Sequence, residues 1–260
     1  MPRLKHDFDD ILGVRLKSAD EIKRIAEAGR IISELFAILR GEPLVAVSTW
    51  EIDSEIDNFL FKKKARSAFK TIKGYNYASC ISINEETVHG VPAKKRRVKE
   101  GDLVKVDVGV SYNGYFADAC LTLGAGKISA PGARLMECAM AALNGAIEAI
   151  APQAPISAIG DITEGIALAN GYSVAANHAG HGTGFLLHEP PVVPHFKDSG
   201  ISMPISVGMV LAVEPVICAG NGQTVINGNG WTAVTADNSQ AAQFEHTVAV
   251  TEKGVMVLTA

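Results

Sequence analysis

The sequence is short of the features that mark several large classes of protein. It has only four cysteines in 260 residues, Cys80, Cys120, Cys138 and Cys218, widely spaced and with no CxxC pair. Reduced thiols in a cytoplasmic protein are therefore expected, not a disulfide framework. No run approaches the ~18–20 apolar residues of a membrane span. The opening MPRLKHDFDDILG carries charges where a secretory leader would have an apolar core, so no leader and no membrane partner are expected. Neither sign of charge is in large excess; a net charge of −4 gives no general reason to expect specific nucleic-acid binding. No Gly/Ser-rich or Pro-rich tract divides the chain. What remains, 47% hydrophobic and 20% charged residues, suits one globular unit over residues 1–260, with residues 1–17 as an extended arm.

The most informative stretch runs from Gly101 to Thr122, GDLVKVDVGVSYNGYFADACLT. Leu103 to Val110 is rich in β-branched residues and predicts a strand. Asn113-Gly114 predicts a tight hairpin turn, because both residues tolerate the positive φ of type I′. That turn sets Tyr112 opposite Tyr115, Gly109 opposite Asp118 and Asp107 opposite Cys120. Asp107 and Asp118 then share one face as diagonal neighbours, roughly 7–8 Å apart at Cα. A one-residue change of loop length would send them to opposite faces. Such a pair suits two divalent cations about 3.5–4 Å apart. Two solvent-facing aspartates on a half-exposed hairpin account for this stretch equally well.

Around it, Ser18-Ala-Asp-Glu21 and Ser48-Thr-Trp-Glu51 are capping-box patterns that open helices. The first turns Ile22, Ile25, Ala26, Gly29, Ile32, Leu35, Phe36 and Leu39 inward, and Gly41 and Pro43 end it. The second turns Ile52, Ile56, Phe59 and Leu60 inward. The basic runs KKKAR (62–66) and KKRRVK (94–99) could meet ribosomal RNA or another polyanion, but a solvated helix end and a solvated loop are preferred. Pro131 begins a third helix, with Leu135, Cys138, Ala142 and Ile147 inward, and a shorter helix spans roughly 157–170, closed by Asn170-Gly171. The second half thus repeats the order of the first: long helix, break at proline, shorter helix, strands.

The second half also concentrates chemistry. NHAGHGTGFLLHEPP (177–191) holds three histidines and three glycines. GMVLAVEPVI (208–217) reads as a strand ending at Glu214-Pro215, and AAQFEHTVAVT (241–251) as a strand with Glu245 inside it. A carboxylate in an apolar strand needs a partner; neither strand carries a lysine or arginine, so a basic residue from elsewhere is the alternative, weakened because both glutamates need one. Asp107, Asp118, His181, Glu214 and Glu245 together would repel unless divalent cations neutralised them. Oxygen ligands with one imidazole favour Mn, Fe(II), Co or Zn. The glycines about His181 would let backbone come close to metal or substrate.

In these motifs the chain resembles the type I methionine aminopeptidases of the pita-bread metallopeptidase family. The matching stretches are SADEIKRIAEAGRII, SINEETVHGVP, VPxxxRxxxxGDLVKVDVGVSYNGYFADA, GHGTGFLLHEPP, MVLAVEP and QFEHTVAVT, in order, over roughly residues 14–252. The resemblance implies an α+β fold, a pseudo-two-fold repeat of helices packed on a curved antiparallel sheet. It implies that Asp107, Asp118, His181, Glu214 and Glu245 hold two divalent metal ions, with His89 and His188 lining the site without binding metal. It implies removal of N-terminal methionine before a small second residue, from peptides and nascent chains. Water activated by the metals would attack, Glu214 would carry its proton to the leaving amine, His188 would stabilise the oxyanion and His89 would assist at the scissile amide. Tyr75, Tyr77, Cys80 and Trp231 are the expected methionine pocket. Two departures bear on that pocket's shape: Leu187 stands where the family usually has an aromatic residue, and the 75–80 segment is about two residues short. A monomer is expected, and ribosome association stays open.

Two rivals share the fold. A prolidase-like Xaa-Pro peptidase usually carries an additional N-terminal domain, for which the hundred or so residues before the hairpin leave no room. A non-catalytic binding protein of this fold would rest on the two basic runs alone, and the complete ligand set counts against it.

Overall fold

Both capping boxes form. Ser18 Oγ accepts from Glu21 N and Ser18 N donates to Glu21 Oε2 at 2.8 Å, opening helix α1, Ala19–Leu39. Ser48 and Glu51 repeat the arrangement at the start of α2, Thr49–Lys62. The computed structural model describes residues 13–175, 177–197, 200–201 and 203–260, with the backbone of residues 8 and 9. The expected arm over 1–17 lies largely outside the described residues; within them Phe8–Asp9 pairs with Val14–Arg15 as a short antiparallel ladder. Helix α1 buries the expected stripe together with Ala28 and Ile31, while Ala26 is only half-buried. Phe59 of α2 is likewise half-buried.

Ser129 caps helix α3, Ala130–Glu148, through a bond from Gly132 N, with Pro131 in its first turn. Helix α4, Ser157–Ala169, packs on α3 and ends at Asn170, after which Gly171 takes φ +76°. The chain thus opens each half with two helices, as the repeat implied.

The central hairpin, Leu103–Tyr112 and Tyr115–Gly124, turns through Asn113 (φ +50°) and Gly114 (φ +83°). Its register is the expected one: Tyr112 faces Tyr115, Gly109 faces Asp118 and Asp107 faces Cys120. Val104, Val106, Val108 and Val110 are fully buried in the main core with α1. Lys105, Asp107 and Gly109 therefore lie on the opposite face. Cys80–Ile83 pairs along the hairpin's first strand, which sets Cys80 beside Asp107.

The long strands expected in the second half are each broken in two. Val210–Val213 lies in a five-stranded ladder with Gly180–Gly182, Glu189–Val193, His246–Thr251 and Gly254–Val257. Val216–Cys218 lies in a different ladder with Ala241–Gln243 and Ser173–Val174. The breaks fall at Glu214-Pro215 and Phe244-Glu245, so Glu245 is not inside a strand. All pairs are antiparallel, and the architecture is α+β.

Candidate metal centre

Each half of the fold supplies part of one acidic cluster. Asp118 comes from the hairpin's returning strand, which is tied to the second half by mutual bonds: Asp118 N donates to Thr247 Oγ1 at 2.9 Å, and that hydroxyl donates to Asp118 O at 2.7 Å. Glu245 N leaves its own ladder and donates to Cys120 O at 2.9 Å. Glu214 N, beside the other break, donates to His195 Nε2 at 3.0 Å. His181 sits mid-strand in Gly180–Gly182, its Nδ1 at 3.0 Å from Gly182 O. Nδ1–H donates to that carbonyl, which leaves Nε2 as a free acceptor aimed at the cluster. Nε2 stands 3.4 Å from Glu214 Oε1 and 3.9 Å from Asp118 Oδ2.

Ligand atoms of Asp107, Asp118 and Glu245 all lie within 4.8 Å of one another, as do those of His181, Glu214 and Glu245 and those of Asp118, His181 and His188. Among the described residues, Asp107 Oδ1, Asp118 Oδ1 and Glu245 Oε1 are buried without a hydrogen-bond partner. Burial, then mutual repulsion, pushes the carboxyls of Asp107, Glu214 and Glu245 well above the carboxylate range. Burial raises Asp118 to about 7 and drops His181 to about 4. Four carboxyls and one neutral imidazole with orphaned, converging oxygens form a donor set that fits hard or borderline divalent cations.

Two of the glycines about His181 also have a packing task. A Cβ on Gly180 would stand 2.2 Å from Ala212 O, and one on Gly182 would stand 2.2 Å from Pro190 O. They let neighbouring strands close on the His181 strand, and Gly180 also lines the cavity beside it.

The cluster lines a cavity of about 540 Å³. Tyr75, Cys80 and Trp231 line it as expected, and Tyr75 stands 5.2 Å from Trp231, ring centre to ring centre. Tyr77 and Leu187 back the wall: Tyr77 packs edge-on against Tyr75 at 5.6 Å, and Leu187 is buried in the same apolar cluster. Phe69, Ile72, Val88, Val192 and His178 also line the cavity, and the sequence pattern had not singled them out. They sit on a single 3-10 turn, loops and short strands where no periodicity marks them. Asp53 was missed as well: its buried Oδ1 accepts from Ala78 N, Ser79 N and Ser79 Oγ at 2.8–2.9 Å, fixing the segment that carries Tyr75 and Cys80.

His89 and His188 both line the cavity. His89 holds φ +57°, a left-handed conformation uncommon for a residue with a side chain. The His188 ring meets that of His181 edge-on at 4.4 Å. Burial lowers both imidazoles below their usual range. The turn before His188 is held by Glu189, whose Oε1 accepts from Phe185 N and Leu186 N at 2.6 Å and whose Oε2 pairs with buried Lys17 at 2.8 Å. The basic run at 94–99 is used locally: Lys94 lies over the Trp50 ring, Arg96 pairs with Glu85 and Glu86, and Arg97 pairs with Glu51. No helix among the described residues is long and apolar enough to cross a membrane.

Residues 23–252 match the model of metallopeptidase family M24. The chain is 40% identical over 259 residues to the methionine aminopeptidase of Aquifex aeolicus (strain VF5), covering 95% of this chain and 99% of that one. It superposes on the crystal structure of the Thermotoga maritima methionine aminopeptidase with a TM-score of 0.91 at 35% identity, covering 95% of this chain and 99% of that one. A prolidase from Pyrococcus furiosus shares the pita-bread fold at a TM-score of 0.76, but at 24% identity, with 94% of this chain and 65% of that one covered.

Proposed function

The chain belongs to the methionine aminopeptidase branch of metallopeptidase family M24, and from that premise we propose that it removes the N-terminal methionine of peptides and nascent chains whose second residue is small. One observation carries the reading: a cluster of converging carboxyl oxygens and one imidazole nitrogen shares a single cavity with an apolar, aromatic-lined recess. We infer one catalytic unit over the described residues, acting as a monomer. Four free cysteines support a cytoplasmic setting. Ribosome contact through residues 94–99 has little support, since three of its charges already have local partners.

Asp107, Asp118, His181, Glu214 and Glu245 would hold two divalent cations, of Mn, Fe(II), Co or Zn. When bound, they neutralise the cluster and bring the pKa of coordinated water towards 7. Glu214 then holds the proton taken from the attacking water on a carboxylate oxygen and passes it to the departing amine. His188, kept neutral by burial, donates an N–H to the carbonyl oxygen of the first residue as negative charge develops there. His89, in the cavity wall, assists at the scissile amide. Tyr75, Cys80 and Trp231, with Phe69 and Ile72, shelter the methionine side chain. One cavity must hold the methionine, the scissile amide and the second residue, which supports a small second side chain.

The decisive assay follows methionine released from Met-Ala and Met-Gly peptides against a bulky-second-residue control and an Xaa-Pro peptide, with each metal added to chelator-stripped protein. Release from the first two alone is expected. Preferential Xaa-Pro cleavage would move the chain to the prolidase reading, which otherwise has only a shared fold behind it.

A further inference from the structure

Lys105 heads the fully buried side chains by size among the described residues, and it is the one that carries an ammonium group. It lies two residues before Asp107 on the same strand and the same face. Its Nζ donates to two main-chain carbonyls, Asn84 O at 3.0 Å and Ala241 O at 2.8 Å. Burying an ammonium group is costly, and its two bonds to main-chain carbonyls offset that cost only in part. Stability is therefore a poor reason for a lysine here.

The two carbonyls indicate what it joins. Asn84 closes the turn between Cys80–Ile83 and Glu86–Val88, the strand that leads directly to His89. Asn84 O also accepts from Ala241 N at 3.0 Å, and Asn84 Oδ1 accepts from Leu103 N at 2.9 Å. Ala241 opens the strand that leads to Glu245. The chains running on to Asp107, His89 and Glu245 therefore meet at one positive charge. We propose that Lys105 is a positioning residue for the metal centre, an internal cation whose bonds to Asn84 O and Ala241 O set the spacing of the strands that deliver Asp107 and Glu245. This rests on the assignment of those two residues as metal ligands.

The test compares Lys105→Met, which keeps length and loses the charge, with Lys105→Ala, which leaves room for a free ammonium ion. Mn(II) binding to chelator-stripped protein is measured by calorimetry, next to thermal melting. Lys105→Met is expected to melt close to the parent, the orphaned Ala241 O offsetting the relief of the buried charge, while binding Mn(II) about 10–100-fold more weakly, the range seen when groups behind metal ligands are removed. In Lys105→Ala, ammonium chloride should restore Mn(II) affinity and tetramethylammonium chloride at equal ionic strength should not. Parent-like affinity in Lys105→Met, or the same response to both salts in Lys105→Ala, overturns the proposal. If Lys105→Met does not fold, Lys105→Ala prepared in ammonium decides alone, and failure of ammonium to restore it counts against the proposal. Binding is read without peptide, so a parent protein that binds Mn(II) yet releases no methionine would overturn the proposed reaction and leave this result standing.

Discussion

Glu214 and Glu245 stand directly opposite one another in a ribbon whose pairing stops at their positions. Val213 pairs with His246 on one side of the gap and Val216 with Gln243 on the other, in one unbroken register. At the gap the two backbone N–H groups turn away, Glu214 N to His195 and Glu245 N to Cys120 O. The interruption places both carboxyls at the cluster and ties the ribbon to the central hairpin.

Removing the cations should abolish methionine release and lower the melting temperature, and the size of the second effect should depend on pH. Without cations the Asp118 carboxyl keeps its proton up to about 7. A raised carboxyl stabilises the fold at low pH, and this contribution is lost as pH rises from the unfolded value near 3.8 towards 7. His181, lowered to about 4, works in the other direction: the unfolded chain protonates first, so stability is lost as pH falls from 6.5 towards 4. Cations need the ionised carboxylate and the neutral imidazole, so both groups favour the loaded form as pH rises. At a hundredfold excess over Kd the cation adds about 2.7 kcal/mol. Scanning calorimetry with and without Mn(II) should show a gap in Tm that widens from about pH 5.5 to about pH 7.5. A gap that shrinks over that range contradicts the cluster as described.

His181 and His188 lie ring against ring yet should fail differently. His181→Ala removes the nitrogen that faces Glu214 and Asp118, so metal content should fall. His188→Ala should retain metal and lose about 10²–10³ in kcat, as when one oxyanion donor is removed. The loss should appear equally in kcat/KM if the contact forms only in the transition state. Metal analysis of both purified variants, set beside steady-state kinetics, separates the roles. Because His188 also belongs to one of the converging donor groups, a metal-free His188→Ala would make it a ligand.

The hairpin was legible because two rules fix it: Asn-Gly sets the turn, and the period of two sets which face each aspartate takes. The helices were legible from their capping boxes and stripes. The breaks at Glu214 and Glu245 were not, since VLAVEPVI and AAQFEHTVAV are as apolar as unbroken strands, and their partners Cys120 and His195 lie far away or in another element. Asp53 and Lys105 were hidden for a related reason. Their charges are satisfied mainly by backbone groups, joined at Asp53 by the Ser79 hydroxyl, and backbone partners leave no trace in side-chain patterns.

The recess proposed for methionine should respond to both its wall and its backing. Trp231→Ala opens the side facing Tyr75 and should cost about 1–3 kcal/mol in kcat/KM for Met-Ala peptides. Asp53 is not part of the cavity wall, but Asp53→Ala strips the acceptor from Ala78 N and Ser79 N, at about 1–3 kcal/mol of stability. Its kinetic defect should lie in KM, with metal content unchanged. A loss of bound metal in Asp53→Ala would show that the segment supports the cluster as well as the recess.

His195 offers the sharpest test of how Glu214 is held. The ring is fully buried and packed against the Gly180 backbone, where an added Cβ would meet its Cε1 at 3.0 Å. Since Nε2 accepts from Glu214 N, the ring carries its proton on Nδ1, and burial drops its pKa to about 3, keeping it neutral. His195→Leu keeps the bulk and removes the acceptor, leaving a buried N–H unpaired at about 1–3 kcal/mol. His195→Gln retains an oxygen that can accept. Both variants lose the imidazole, so a fault common to both reports packing, and a fault confined to leucine reports the bond to Glu214. Leucine is expected to lower Tm and kcat together, with glutamine recovering much of the turnover. Equal kcat for the two variants would mean that the bond to His195 does not position Glu214 for proton transfer.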